Sequence, residues 1–415
     1  MQTNILEYLE HTVTRVPDKI AFANDVCGVT FRETYDQARA VGSFLSAEGL
    51  YKQPVVVFMK KHPTTLVSFF GTIYAGCYYV PLDPEMPRHR IDLILQALEP
   101  GAMICDESTL ETGRELGWGK LYEYTAMAET PVDQPALDTI RRWQCDTDPV
   151  YIVFTSGSTG TPKGVITAHQ SVMYYIDAVT SVLGIGREDV LGNQSPFDYI
   201  AAVRDIYIPL KTGASTVVIP KNEFAIPSQL FATLNRHKVT TLCWSVAGLE
   251  LPAKFNEFET IPEYVNKICF SGSVMPCKYL KVWQENLPDV LYVNQYGPTE
   301  ATASCTYYVV RDKVEDSTVL PIGKPYANYG ILLLNEDNTE TAPGEIGEIC
   351  VKGPVLALGY YGDQTRTNEV FIQNPLNKNY RELIYKTGDL GSFNADGNLE
   401  FHGRKDRQIK HMGHR

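Results

Sequence analysis

"VFTSGSTGTPKGVITAHQ" spans Val153–Gln170. An apolar run leads into it, and a stretch with helical patterning follows. Between the two, glycine, serine and threonine crowd around one lysine, Lys163. Glycines let a backbone approach a ligand closely, hydroxyls donate hydrogen bonds and a lysine supplies charge, so such a loop can wrap a polyphosphate. The P-loop pattern GxxxxGK[ST] is not met, because Gly164 follows the lysine. Taken alone, a Gly/Ser-rich loop is as readily a flexible connector, so the rest of the chain has to decide.

Around that loop, strand-like and helix-like patterns alternate. "PVVVFMK" (54–60) reads as a buried strand, with a helix over 64–76 and a strand at 77–81. Helices are also expected at 5–15 and 31–49. The alternation recurs through 102–105, 150–154, 171–183, 215–219, 228–237, 240–244, 268–270 and 276–286, which predicts parallel sheets covered by helices. From Ala327 the texture changes. "YGILLLNEDNTETAPGEIGEICVKG" (329–353) has short strands punctuated by turn residues, and "NADGN" (394–398) reads as a hairpin turn, so a smaller antiparallel or barrel lobe is expected. The predicted organisation is two α/β sheet lobes over 1–326, a β-barrel-like lobe over 327–403, and a hinge over 404–415.

Composition narrows the function. A chain of 415 residues, 44% hydrophobic, with 25 tyrosines and 16 phenylalanines, can bury two or three packed lobes. A formal charge of -12 argues against a nucleic-acid surface, though a local basic pocket for an anion remains compatible with it. The nine cysteines form no CxxC pair, which points to reduced thiols, a cytoplasmic location and no structural zinc. The N-terminus has no signal-like apolar core. The longest apolar stretch, Leu66 to Leu82, contains two glycines and runs into "DPEMPRHR", so it reads as a core helix and strand, with no membrane partner.

Several strings, in order, carry a resemblance. "TSGSTGTPKGV" (155–165), "YAGCYYVPLDPEMPRHRI" (74–91), "NQYGPTEAT" (294–302), "YKTGDL" (385–390) and "GRKDRQIKHMGHR" (403–415) resemble motifs of the adenylate-forming superfamily, which includes acyl-CoA synthetases, luciferases and peptide-synthetase adenylation domains. The "VPLDP" and "YGPTE" forms are similar to the amino-acid-activating branch: adenylation domains of nonribosomal peptide synthetases and stand-alone D-alanine–carrier protein ligases. The resemblance implies an α/β core of two sheets in five layers (αβαβα) with a distorted β-barrel lobe. It also implies a ligase that forms an acyl-adenylate from ATP and a carboxylic acid, then passes the acyl group to the phosphopantetheine thiol of a carrier protein. An aryl- or acyl-CoA ligase is the nearest alternative. A non-catalytic nucleotide-binding module is a remoter one, and it would predict altered residue types at Lys163, Thr299, Glu300 or Asp389.

The resemblance also implies roles. Thr155, Ser156, Gly157, Ser158, Thr159, Gly160 and Lys163 would hold the β- and γ-phosphates. Tyr296 would stack on adenine between Gln295 and Gly297, Asn294 would bond the adenine amino group, and Gly272 and Ser273 would pass under the ring. Thr299 would bond the α-phosphate, and Glu300 would hold Mg²⁺, a hard cation suited to carboxylate and phosphate oxygens. Asp389 would grip the ribose diol with its two acceptor oxygens, beside Phe401 and with Arg404 facing ribose or phosphate. Thr155, Lys163, Thr299 and Glu300 are the expected catalytic set. Asp406 matches the family's hinge. Family members carry a mobile lysine in a C-terminal lobe, and no residue here matches it; the chain ends inside a motif. The expectation is therefore a core lacking that lobe, a monomer or a module of a larger synthetase, which binds ATP and acid but turns over poorly.

The acid pocket departs from the family. Members that activate α-amino acids use "FDxSVxE", whose Asp pairs with the substrate ammonium. Here the stretch is "SPFDYIAAVRDIYIPLKTGAS" (195–215). Counting back without gaps from "TGAS" places Ile200 at the carboxylate's position, Ala201 beside it and Arg204 in the pocket. Aligning on "FD" selects Asp198, next to Tyr199, at the cost of a two-residue insertion. Ile200 cannot compensate a buried ammonium. Either Asp198 receives a displaced ammonium, as in a β-amino acid, or the substrate lacks one and is an aryl, hydroxy or keto acid, with Arg204 facing an acidic or oxygen-bearing group. The remaining wall is Cys243, Cys269, Ser271, Gln295, Ala303 and Ser304. Arg204 is itself expected to pair with Asp205 or Asp198.

Overall fold

The computed structural model describes residues 2–155, 161–255 and 258–405. Among these, strands form three sheets. In the nine-stranded sheet the parallel centre runs Leu291–Tyr296, Lys267–Ser271, Thr241–Ser245, Val190–Asn193, Ser215–Val218 and Ile20–Ala23, with antiparallel strands at both edges. The seven-stranded sheet holds Pro54–Phe58, Tyr78–Pro81 and Ala102–Cys105 in parallel, and Pro149–Thr155 against Lys163–Ala168 in antiparallel. The third sheet has five strands, is wholly antiparallel, and includes Gly347–Lys352, Leu383–Phe393 and Leu399–Arg404.

Alternation along single strands explains the layering. In "PVVVF", Val55 and Val57 join the core between the two large sheets, whereas Val56 and Phe58 join a second core on the outer face. Successive side chains of a strand face opposite sides, and a strand apolar on both sides must be covered twice. The inner layer contains the helices Pro63–Tyr74, His169–Leu183 and Ala202–Thr212, buried over most of their length. The outer face of the nine-stranded sheet carries its own cluster around Trp244, Phe270 and Trp283. This is the αβαβα arrangement with a curled β lobe that the motifs implied.

Two details differ from the expected boundaries. Within 327–403, Gly359–Tyr360 leaves the third sheet and pairs with Val165 and Ile166 of the seven-stranded one. A two-residue strand has no periodicity to betray it in the sequence. Arg404 closes the strand Leu399–Arg404 and so belongs to the β lobe rather than to a hinge. The expected hinge residue Asp406 lies outside the described residues, as do Ser156, Gly157, Ser158, Thr159 and Gly160.

Candidate active site

The carboxyl ends of the parallel strands are where open α/β sheets place ligands. Thr155, Ser271 and Tyr296 each end such a strand. Thr155 pairs with Lys163, so the two ends of the glycine-rich loop are neighbours. The Thr155 hydroxyl is buried with no hydrogen-bond partner at the mouth of that loop.

After Tyr296 the chain turns sharply. A Cβ on Gly297 would lie 2.4 Å from the Ser304 Cα, so only glycine permits this return. Thr302 and Ala303 follow with φ of 50° and 70°. Left-handed backbone at two consecutive non-glycine residues is strained, and the turn is held by the Thr302 hydroxyl donating to the Val355 carbonyl at 2.8 Å. The turn presents Thr299 and the wholly buried Glu300 from a single 3₁₀ turn.

Lys163 Nζ lies 2.6 Å from Glu300 Oε1 and 2.9 Å from the Tyr360 hydroxyl, which itself donates to Glu300 Oε1 at 2.7 Å. Three segments far apart in sequence meet there. Tyr360 was not anticipated from sequence: it arrives on the short strand described above. Beside this trio is a cavity of about 410 Å³ lined by Gly272, Ser273, Asn294, Gln295, Tyr296, Gly297, Phe401 and Arg404, with Val274, Val319 and Ile322 as unforeseen apolar wall. Gly272 has φ +98°, open to glycine at little cost. The Tyr296 hydroxyl donates to Asp389 Oδ2 at 2.6 Å, and Arg404 Nη1 donates to Asp389 Oδ1 at 2.6 Å. Burial and the adjacent Asp389 carboxylate raise the Tyr296 phenol well above its ordinary pKa, so it stays a donor. The Asn294 amide donates to the Pro321 carbonyl at 2.9 Å, and the Tyr296 and Phe401 rings lie 6.1 Å apart.

The acid side lies past Gln295. Arg204 is fully buried in the first turn of Ala202–Thr212. Its Nη1 donates to Gln295 Oε1 at 2.6 Å, with Cys269 Sγ at 3.8 Å and Ser271 Oγ at 3.5 Å from the guanidinium. Cys243 and Cys269 pair across neighbouring strands. Ile200, Ala201, Ala303 and Ser304 are buried.

The expected ion pair for Arg204 is corrected: among the described residues, no carboxylate oxygen lies within the 4.0 Å of a salt bridge to it. Asp205 is turned the other way, accepting from Asn193 Nδ2 at 2.7 Å, and burial pushes its carboxyl up to about 7. Asp198, next to Tyr199, is pushed up to about 6 by burial and by Asp83, with Arg90 and Lys221 as its cationic neighbours, a different set of groups from those around Arg204. Lys61 also went unnoticed in the sequence. It is half-buried, donates to the Asn193, Gln194 and Ile219 carbonyls, and has its pKa lowered to about 7 by desolvation.

Among the described residues, no group of three His, Cys, Asp or Glu side chains could hold a metal. Glu300 alone fits a cation that takes most of its ligands from phosphate oxygens, as Mg²⁺ does. No described helix is long and apolar enough to cross a membrane.

A layered α/β fold with a cavity at its strand ends defines the class of protein, and comparison gives the family. Residues 9–361 match the family described as AMP-binding enzyme. The chain belongs to that family. It is 30% identical to a D-alanine–D-alanyl carrier protein ligase of Bacillus cytotoxicus, over 99% of this chain and 81% of the ligase. It is 29% identical to bacitracin synthase 1 of Bacillus licheniformis, over 99% of this chain but only 8% of that synthase. The crystal structure of the nonribosomal peptide synthetase FmoA3 in its α-methyl-L-serine-AMP-bound form superposes with a TM-score of 0.88 at 26% identity, covering 98% of this chain and 45% of that one.

Proposed function

We propose that this chain uses ATP to adenylate a carboxylic acid and serves a carrier-protein thiol in peptide-synthetase chemistry. One observation carries the reading. Tyr296 and Arg404 line one cavity and both hold Asp389, and the turn that follows Tyr296 carries Glu300 paired to Lys163, whose strand partner is the buried donor Thr155.

In this reading adenine lies between Tyr296 and the Gly272–Ser273 turn, with Asn294 at its edge. Each Asp389 oxygen has one partner and keeps acceptor capacity for a ribose hydroxyl. Thr155, Lys163 and residues 156–160 receive the β- and γ-phosphates, and Thr299 the α-phosphate. Glu300 would hold Mg²⁺, which supplies charge neutralisation on the phosphates when bound. An acid oxygen attacks the α-phosphorus, the bond to the β-phosphate oxygen breaks, and pyrophosphate leaves with its charge met by Lys163. A thiolate then displaces AMP from the acyl carbon. Positioning and charge neutralisation dominate such displacements. The carrier-protein acceptor rests on the likeness to the carrier-protein ligase.

ATP–pyrophosphate exchange driven by added acid, together with calorimetric ATP binding, tests this. Acid-dependent exchange is expected. Failure of ATP to bind overturns the proposal.

A further inference from the structure

We infer that the acid activated here is a dicarboxylic acid whose distal carboxylate is received by Arg204. This rests on the adenylation reading and deepens it. Arg204 is a fully buried cation whose hydrogen-bond partners among the described residues are the Gln295 amide oxygen at 2.6 Å, the Ala201 carbonyl at 3.3 Å, and the longer contacts to Ser271 and Cys269, none of them a carboxylate. A guanidinium does not deprotonate in proteins, and a charge taken out of water without a counter-charge is costly. Of the two nearby acids, Asp205 feels the Arg204 charge, but burial holds its carboxyl up at about 7, so near neutral pH it supplies only part of a counter-charge. Asp205 points its Oδ2 at Asn193, and Asp198 sits with Asp83, Arg90 and Lys221.

A second observation points the same way. Because the guanidinium can only donate, Gln295 Oε1 must face it, and the Gln295 Nε2 donor is turned elsewhere. That Nε2 is buried without a hydrogen-bond partner, and so is the hydroxyl of Tyr326, which lies within electrostatic reach of Arg204 and Cys269. A native structure rarely strands such groups unless something else fills the need. An acceptor-rich anion fits all of them, whereas an ammonium, which only donates, could meet neither the Gln295 Nε2 donor nor the guanidinium. Ile200, at the position where α-amino-acid activators place an acid, is 6% exposed and apolar. A planar carboxylate matches the fork of an arginine. The cation that has no carboxylate among its hydrogen-bond partners thus becomes the element that selects the acid.

The test uses the full-length protein and ATP–pyrophosphate exchange. The panel is succinate, glutarate, adipate and isophthalate, each beside its half-amide, together with the ordinary L-α-amino acids. At least one diacid is expected to exceed its half-amide about 100-fold in kcat/KM, because a site built around a charge rejects the analogue lacking it. Arg204→Gln should abolish that preference mainly through KM, while ATP binding by calorimetry, which reports the intact fold, stays unchanged. If Arg204→Gln fails to fold, the wild-type diacid to half-amide ratio alone decides. Exchange driven best by a half-amide or an α-amino acid overturns the second carboxylate and leaves adenylation standing. Exchange with no acid at all overturns adenylation, and the inference with it.

Discussion

Asp389 and Arg204 are both buried charges bonded to residues of one cavity wall, and they are housed in opposite ways. Asp389 has Tyr296 on one oxygen and Arg404 on the other, and Glu300 nearby has Lys163 and Tyr360. Arg204 has no carboxylate among its hydrogen-bond partners. The end proposed for the nucleotide therefore holds its charges in pairs, whereas at the end proposed for the acid the charge would be met by the ligand. Every substrate of such a family brings the same nucleotide, so pairs tuned to it can be permanent. The acid is the variable part, and a cation short of counter-charge is the strongest means of choosing one.

The largest effect is expected where a pair also serves the chemistry. Glu300→Gln keeps the shape and removes the charge; it should lower acid-dependent exchange about 1000-fold, the scale of losing one electrostatic stabiliser. A loss under about threefold would remove Glu300 from the phosphate chemistry and break the contrast at its stronger end. Next comes stability. Arg404→Met leaves Asp389 buried beside Tyr296 alone and should cost about 3 kcal/mol in urea denaturation, whereas Arg204→Met removes an incompletely compensated charge and should cost about 1 kcal/mol or less. Equal costs for the two arginines would show that Arg204 is compensated after all.

A third test uses pH. The buried Asp205 carboxyl is raised from 3.8 to about 7. Between those values the folded chain keeps a proton that the unfolded chain has released, so stability falls as pH rises through the window, by about 4 kcal/mol in total. Lys61 acts in the other sense. It is lowered from 10.5 to about 7, so the folded chain has lost a proton that the unfolded one retains, and stability recovers as pH rises above about 7. Denaturation curves from pH 5 to 9 should show this minimum, and Asp205→Asn should flatten its lower limb. An unchanged lower limb in that variant would assign the slope to other groups.

The grouping of the residues proposed for the nucleotide could be read from sequence because they come in short strings at strand ends. Asn294, Gln295, Tyr296 and Thr299 lie within one strand and its turn, so their spacing largely sets their geometry. The layered sheets were readable for a similar reason: runs such as 54–58 bury both faces. Arg204 was harder. Asp205 is its neighbour in the chain, and only the helix geometry shows that the two side chains turn apart, one to Gln295 and one to Asn193. Nor does any local pattern reveal that Gly359–Tyr360 crosses from one lobe to the other sheet, since that depends on contacts distant in sequence.

That crossing strand supplies the smallest and most discriminating test. The Tyr360 hydroxyl takes a bond from Lys163 and gives one to Glu300, while its ring lies under the Lys163 ammonium, 4.6 Å from the centroid. Tyr360→Phe removes the hydroxyl and keeps the ring, so the cation–π contact survives and the lysine keeps its carboxylate. Two hydrogen bonds to charged groups are lost, a change of about 2 kcal/mol, or roughly 30-fold in exchange. If the pairs at this end are permanent scaffolding, the loss should appear in the Tm and in kcat/KM for ATP together. A loss confined to kcat, with Tm unchanged, would mean that Tyr360 acts on the reacting phosphates, and that the nucleotide end, like the acid end, completes itself only when its ligand is bound.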